Sequence, residues 1–161
     1  MKYKKFLLSM LISLFIFTGN SFAAATGSED NVPKYEKLYK KGALLIKQGK
    51  KLEKKDKIKK ANKKYLKAIK YLEQSNQIEP EKPDTLNYLG YALRKTGNFE
   101  TAEKFYLEGL KINPKHVGIN EYLGELYVQT NRIDLAKKRL QVLNGCNCEE
   151  YEELKELIEK E

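Results

Sequence analysis

The chain has 161 residues, 41% hydrophobic and 33% charged, with 31 Lys+Arg against 22 Asp+Glu. That length suits one small domain and is too short for a (β/α)₈ barrel or a two-domain enzyme. One histidine, His116, and two cysteines, Cys146 and Cys148, leave too few groups for a catalytic zinc or most nucleophilic triads, so no catalytic residue, metal or cofactor is expected.

Lys2, Lys4 and Lys5 precede an apolar run, Phe6–Phe17, that is shorter than the ~20 residues of a spanning helix. This pattern predicts a signal peptide over 1–23, with Ser21 and Ala23 at the cleavage site and Ala25 as the other candidate. An uncleaved N-terminal anchor is the alternative. The expectation is a bacterial protein, periplasmic or secreted, with no transmembrane segment in the mature chain and a linker over 24–33.

The next stretch, 34–82, holds 17 lysines and 6 acids, whereas 83–161 holds 11 basic and 14 acidic residues. Within it Lys50, Lys51, Lys54, Lys55, Lys57, Lys59, Lys60, Lys63 and Lys64 form a basic arm. Such an arm fits an anionic envelope surface, lipid or polysaccharide. The competing reading is a solvated helix face, because 28 of the 31 basic residues are lysine, as a compositional bias would also produce. The export signal argues against nucleic acid.

From Pro83 to Pro114 two amphipathic segments are divided by Thr96-Gly97-Asn98. Leu86, Leu89 and Leu93 recur at helical spacing in the first, and Phe99, Ala102, Tyr106 and Leu110 in the second. A fixed offset of 34 residues carries Leu89-Gly90 to Leu123-Gly124, Leu93 to Tyr127, Phe99 to Ile133, Ala102 to Ala136 and Tyr106 to Leu140. These residues, with Gly97, Gly109 and Pro114, resemble the tetratricopeptide repeat family. The later copy departs at Asn120, Asn131, Leu143 and Cys148, which suits a terminal repeat.

The resemblance implies an all-α superhelix of about three helix pairs, over 34–80, 83–116 and 117–148, with a capping helix over 149–161. Gly90 and Ala102 are expected to face each other where two helices cross. Gly42 and Gly49, spaced like Gly90 and Gly97, place an earlier repeat at 34–80. The shifted Ala68 register gives that repeat a basic 14-residue insertion, about 50–63. Fourteen residues are about four helical turns, so the expectation is one long helix over about 51–78.

The family pattern also implies a non-enzymatic adaptor whose concave groove takes a protein or extended peptide. Its groove positions fall on Glu36, Tyr39, Ala43, Ile46 and Lys47, then Asp84, Asn87, Tyr91, Arg94 and Lys95, then Gly118, Glu121, Glu125, Val128 and Gln129. Tyr39 and Tyr91 are the expected anchors. The family's carboxylate-gripping variant is not reproduced, because Glu121 and Glu125 would repel an acidic tail. Cys146 and Cys148 are read as a disulfide staple beside the turn residues Gly145 and Asn147, with thiol exchange or free thiols as the alternatives. His116 is read as a surface loop residue, and Glu149–Glu153 as a solvated helix end.

Overall fold

The computed structural model describes residues 31–161, so the predicted signal peptide and most of the linker lie outside the described residues. Seven helices follow in order: α1 (Lys34–Glu53), α2 (Ile58–Ile78), α3 (Pro83–Lys95), α4 (Phe99–Ile112), α5 (Val117–Gln129), α6 (Ile133–Leu143) and α7 (Glu149–Glu159). Among the described residues there is no strand, and no helix is long and apolar enough to cross a membrane. Consecutive helices pack as hairpins, α1 with α2, α3 with α4 and α5 with α6, and α7 closes the row against α5 and α6.

The three hairpin turns share one hydrogen-bond pattern. In the second, the Gly97 N–H donates to the Arg94 carbonyl at 3.0 Å and the Asn98 N–H to the Leu93 carbonyl at 2.9 Å. This is the Schellman arrangement, which needs a left-handed residue just beyond the helix. Gly97 supplies it at φ 87°, Asn131 at φ 57° and Asp56 at φ 53°. A side chain pays for that conformation and glycine does not. Asn131→Gly relieves that conformation but loosens the unfolded chain, so the net change is expected to be under about 1 kcal/mol, read as a small shift in urea midpoint at unchanged slope.

Asp56 also corrects the expectation of one helix over 51–78. The chain reverses at 54–57, and Gly49 lies inside α1 instead of at a turn. Relative to the second repeat, the turn has moved seven residues outward and α2 begins seven residues earlier. The 14 extra residues thus lengthen both arms of the hairpin by about two turns each, which keeps both packing faces in register.

Close helix approach explains the glycines. A Cβ on Gly90 would lie 2.7 Å from Cδ1 and Cζ of the Tyr106 ring, so the nearest group facing Gly90 is Tyr106. Gly49 meets the Tyr65 ring in the same way, and Gly42 meets Leu72. In the third repeat Gly124 meets Leu154 of α7, while Leu140, which matches Tyr106 in sequence, is only half-buried. The capping helix supplies the side chain that the third repeat's own second helix does not.

The core runs continuously through Ile46, Leu72, Leu89, Ala102, Tyr106, Leu123, Leu126 and Ala136. Asn120, which replaces a large apolar residue, is fully buried. Its amide donates to the carbonyls of Pro114 at 3.1 Å and His116 at 3.0 Å, tying the inter-repeat loop to α5. A buried polar group is tolerated where its partners are supplied in this way.

Candidate functional site: the concave face

The first helix of each pair, α1, α3 and α5, places its side chains on one face, and α7 adds Glu153 at the end. A cleft of about 240 Å³ lies between them, lined by Lys50, Glu53, Tyr91, Arg94, Glu121 and Tyr122, among others. The lengthened α1 makes this cleft possible, because Lys50 and Glu53 belong to its two additional turns.

Tyr91 and Tyr122 line its floor, and the buried Tyr65 of α2 backs Tyr91. The Tyr65 and Tyr91 rings stand edge to face at 5.7 Å between centroids, and Tyr91 and Tyr122 are 4.8 Å apart. Cations lie over the Tyr91 and Tyr122 rings. Lys50 Nζ is 4.8 Å from the Tyr91 centroid and 4.9 Å from that of Tyr122, and it donates a hydrogen bond to Tyr122 Oη at 2.6 Å. Arg94 lies within 5.5 Å of the Tyr91 centroid. Such contacts gain strength where water is excluded.

Arg94 is 2% exposed and forms an ion pair with Glu125 at 2.7 Å. That carboxylate is close but poorly aligned, and none of the guanidinium nitrogens makes a well-directed hydrogen bond. Burial works against the charge on Arg94, but Glu125 and the neighbouring tyrosines outweigh it and raise its pKa. Lys95 pairs with Glu53 at 2.9 Å, joining α3 to α1. Glu121, 2% exposed, has its pKa pushed up to about 9, chiefly by burial, and further by the carboxylates of Glu153 and Glu125, with Lys50 opposing.

A second recess, of about 200 Å³, lies at the other end of the face beside Tyr35, Glu36, Tyr39, Lys82, Asp84 and Thr85. Tyr39 stacks at a tilt on Tyr88, with centroids 5.9 Å apart. Its hydroxyl pKa is pushed up to about 12 by burial and then by Asp84 and Tyr88.

The residues expected from the family pattern divide into groups. Tyr39, Lys95 and Glu125 present partly exposed side chains, and Asp84, Lys47 and Gln129 are exposed. Ala43 is half-buried, while Ile46 and Asn87 belong to the interior. Tyr91 was an expected anchor, but at 4% exposure it offers a partner almost no surface, and Arg94 offers still less. Tyr122, not among the expected groove residues, is half-buried and takes that place. Lys50 leaves the basic arm for the cleft. Lys51, Lys54, Lys55, Lys57, Lys59, Lys60 and Lys63 remain exposed around the first hairpin turn, with Lys64 half-buried.

His116 is not a free loop histidine. Its Nδ1 accepts from the Ile119 N–H at 3.2 Å, capping α5, so the proton on Nε2 points at Asp84 Oδ1, 3.0 Å away. Cys146 and Cys148 are joined to each other just before α7. Among the described residues no group of three or more His, Cys, Asp or Glu side chains is placed to hold a metal.

Paired helices stacked in one row, with glycine-mediated crossings and a polar concave face, define a helical-repeat solenoid. Residues 83–116 match the tetratricopeptide repeat profile. It is 30% identical over 78 residues to the sol locus transcriptional repressor of Clostridium acetobutylicum, a span of 48% of this chain and 24% of that protein. The chain therefore aligns with about a quarter of that relative's length.

Among solved structures it resembles the Yersinia enterocolitica type III secretion chaperone SycD in complex with a peptide of the translocator YopD. That likeness has a TM-score of 0.61 at 18% identity, covering 82% of this chain and 92% of that one. The Sgt2 tetratricopeptide domain of Aspergillus fumigatus gives a TM-score of 0.60 at 20% identity, covering 80% and 79%. The first such domain of Spaghetti (RPAP3), bound to the HSP90 peptide SRMEEVD, gives 0.54 at 21%, covering 76% and 94%.

Proposed function

We propose that this protein is a non-enzymatic adaptor, exported to the bacterial periplasm, that holds an extended segment of a protein partner along its concave face. The observation that carries the reading is the pair of half-buried tyrosines, Tyr39 and Tyr122, one at each recess, with charged side chains of both signs around them. Aromatic side chains at the centre of a partly desolvated surface dominate binding energetics. The SycD and RPAP3 structures hold peptides, which makes a peptide partner the natural first candidate here. Mixed charge on this face favours a segment that is not uniformly acidic. A photo-crosslinking residue at Tyr39 or Tyr122 is expected to capture a discrete partner in intact cells, while the same residue at exposed Leu107 captures none. Equal capture at all three positions would remove the concave face from the function.

A second reading applies to the first hairpin turn. Seven exposed lysines surround it, and Glu53, the nearest acid in α1, is already paired with Lys95. Such a tip suits an anionic envelope surface. Replacing Lys55, Lys57, Lys59 and Lys60 by glutamine is expected to weaken sedimentation with phosphatidylglycerol vesicles at least about tenfold, since each lysine near such a surface contributes about 1 kcal/mol. Binding that persists in high salt would exclude this reading, because exposed charges are screened there.

A further inference from the structure

We propose that the cleft between α1, α3 and α5 is a binding site for an alkylammonium group, a lysine side chain of the partner, and that Lys50 occupies it as an internal stand-in. The Lys50 ammonium is held as a ligand would be, with the Tyr91 and Tyr122 ring faces under it at 4.8 and 4.9 Å and the Tyr122 hydroxyl accepting its hydrogen bond at 2.6 Å. Aromatic faces combined with an acceptor are how proteins recognise ammonium groups.

The charge inventory favours a cation. Arg94 is compensated by Glu125 and Lys95 by Glu53, which leaves Lys54, exposed at the rim, as the one lining cation besides Lys50 without an ion pair among the described residues. Glu121 and Glu153 have no ion-pair partner among the described residues, and Glu121 is buried against the same end of the cleft. Burial and the neighbouring carboxylates of Glu153 and Glu125 keep the Glu121 proton on, and the same negative surroundings attract a cation and repel a further carboxylate. Lys50 itself is half-buried, on a flexible four-carbon stem at the outer end of α1. It can leave for water without disturbing the helix, because only its tip is engaged.

The physiological ligand rests on the adaptor reading above, but the cage can be tested without any partner. In Lys50→Met the stem stays over the rings and the ammonium is gone. Titration with n-butylammonium chloride, followed through the Tyr122 ring signals and the Glu121 carboxyl carbon by NMR, is expected to saturate in Lys50→Met. In the wild type the apparent affinity should be at least about tenfold lower, because Lys50 competes. Adding Tyr122→Ala should abolish saturation. Equal responses of wild type and Lys50→Met would overturn the proposal, as would saturation of the same signals by sodium butyrate. If Lys50→Met loses its helical circular dichroism, Lys50→Gln serves with the same expected outcomes. Saturation by butylammonium alongside failed crosslinking at Tyr122 would leave the cage standing and remove the adaptor reading. The reverse result would remove the cage alone.

Discussion

Gly90→Ala is expected to destabilise the fold by about 1–3 kcal/mol, the usual cost of forcing one extra carbon into a packed core. The added methyl would meet Cδ1, Cε1 and Cζ of the Tyr106 ring, which is fully buried. Alanine is a better helix former than glycine by up to about 1 kcal/mol, so the net loss would measure the clash less that gain. Chemical denaturation would show a lower midpoint, and calorimetry a Tm several degrees lower. The cause is separable by a double-mutant cycle: in a Tyr106→Ala background the same substitution should cost at least about 1 kcal/mol less, because the ring is gone. Additive effects would mean that Gly90 is not there to admit Tyr106.

Much of this architecture is legible in the sequence because packing repeats with the chain. Leu89-Gly90 and Leu123-Gly124 announce the crossings, and the fixed offset of 34 residues gives the hairpins. The first repeat was harder to read for a physical reason. Four turns added to one helix and two turns added to each arm leave every packing face unchanged, so hydrophobic periodicity cannot tell them apart. The deciding feature is Asp56 in a left-handed conformation, and aspartate tolerates that state without advertising it as glycine does. That misreading concealed Lys50, which looks like one more solvated lysine until α1 is known to run past it.

The cleft was less legible than the fold for a related reason. Family positions identify the side of a helix, not the depth of a side chain. Tyr91 and Arg94 lie on the expected side, yet neighbouring rings cover them. Tyr122 and Glu153 are drawn in by contacts among α1, α5 and α7 that no single-helix pattern contains. Asn120 shows the converse. Its sequence signature reads as a lost apolar position, while its amide satisfies two loop carbonyls from within the core.

Glu121→Gln is expected to remove the pH dependence that Glu121 imposes on stability. Burial against Glu153 and Glu125 pushes its pKa up to about 9 in the folded state, against an ordinary value of 4.5 in the unfolded chain. Between those values the folded protein keeps a proton that the unfolded chain releases. The unfolded state therefore binds fewer protons, and stability falls as pH rises through this window. One proton gives a limiting slope of about 1.4 kcal/mol per pH unit, hence a loss of several kcal/mol between about pH 5 and pH 8. Glutamine has nearly the shape of the protonated acid and nothing to titrate. Urea unfolding should find the two proteins alike near pH 4 and the variant more stable by several kcal/mol at pH 8, with most of the wild-type slope abolished. Glu153→Gln should produce a smaller change in the same direction, because it lowers the Glu121 pKa without removing the group. Parallel stability curves for wild type and Glu121→Gln from pH 4 to pH 9 would mean that the Glu121 carboxyl reaches water in the folded protein and carries its charge there. The Lys50 ammonium would then face a full carboxylate at neutral pH.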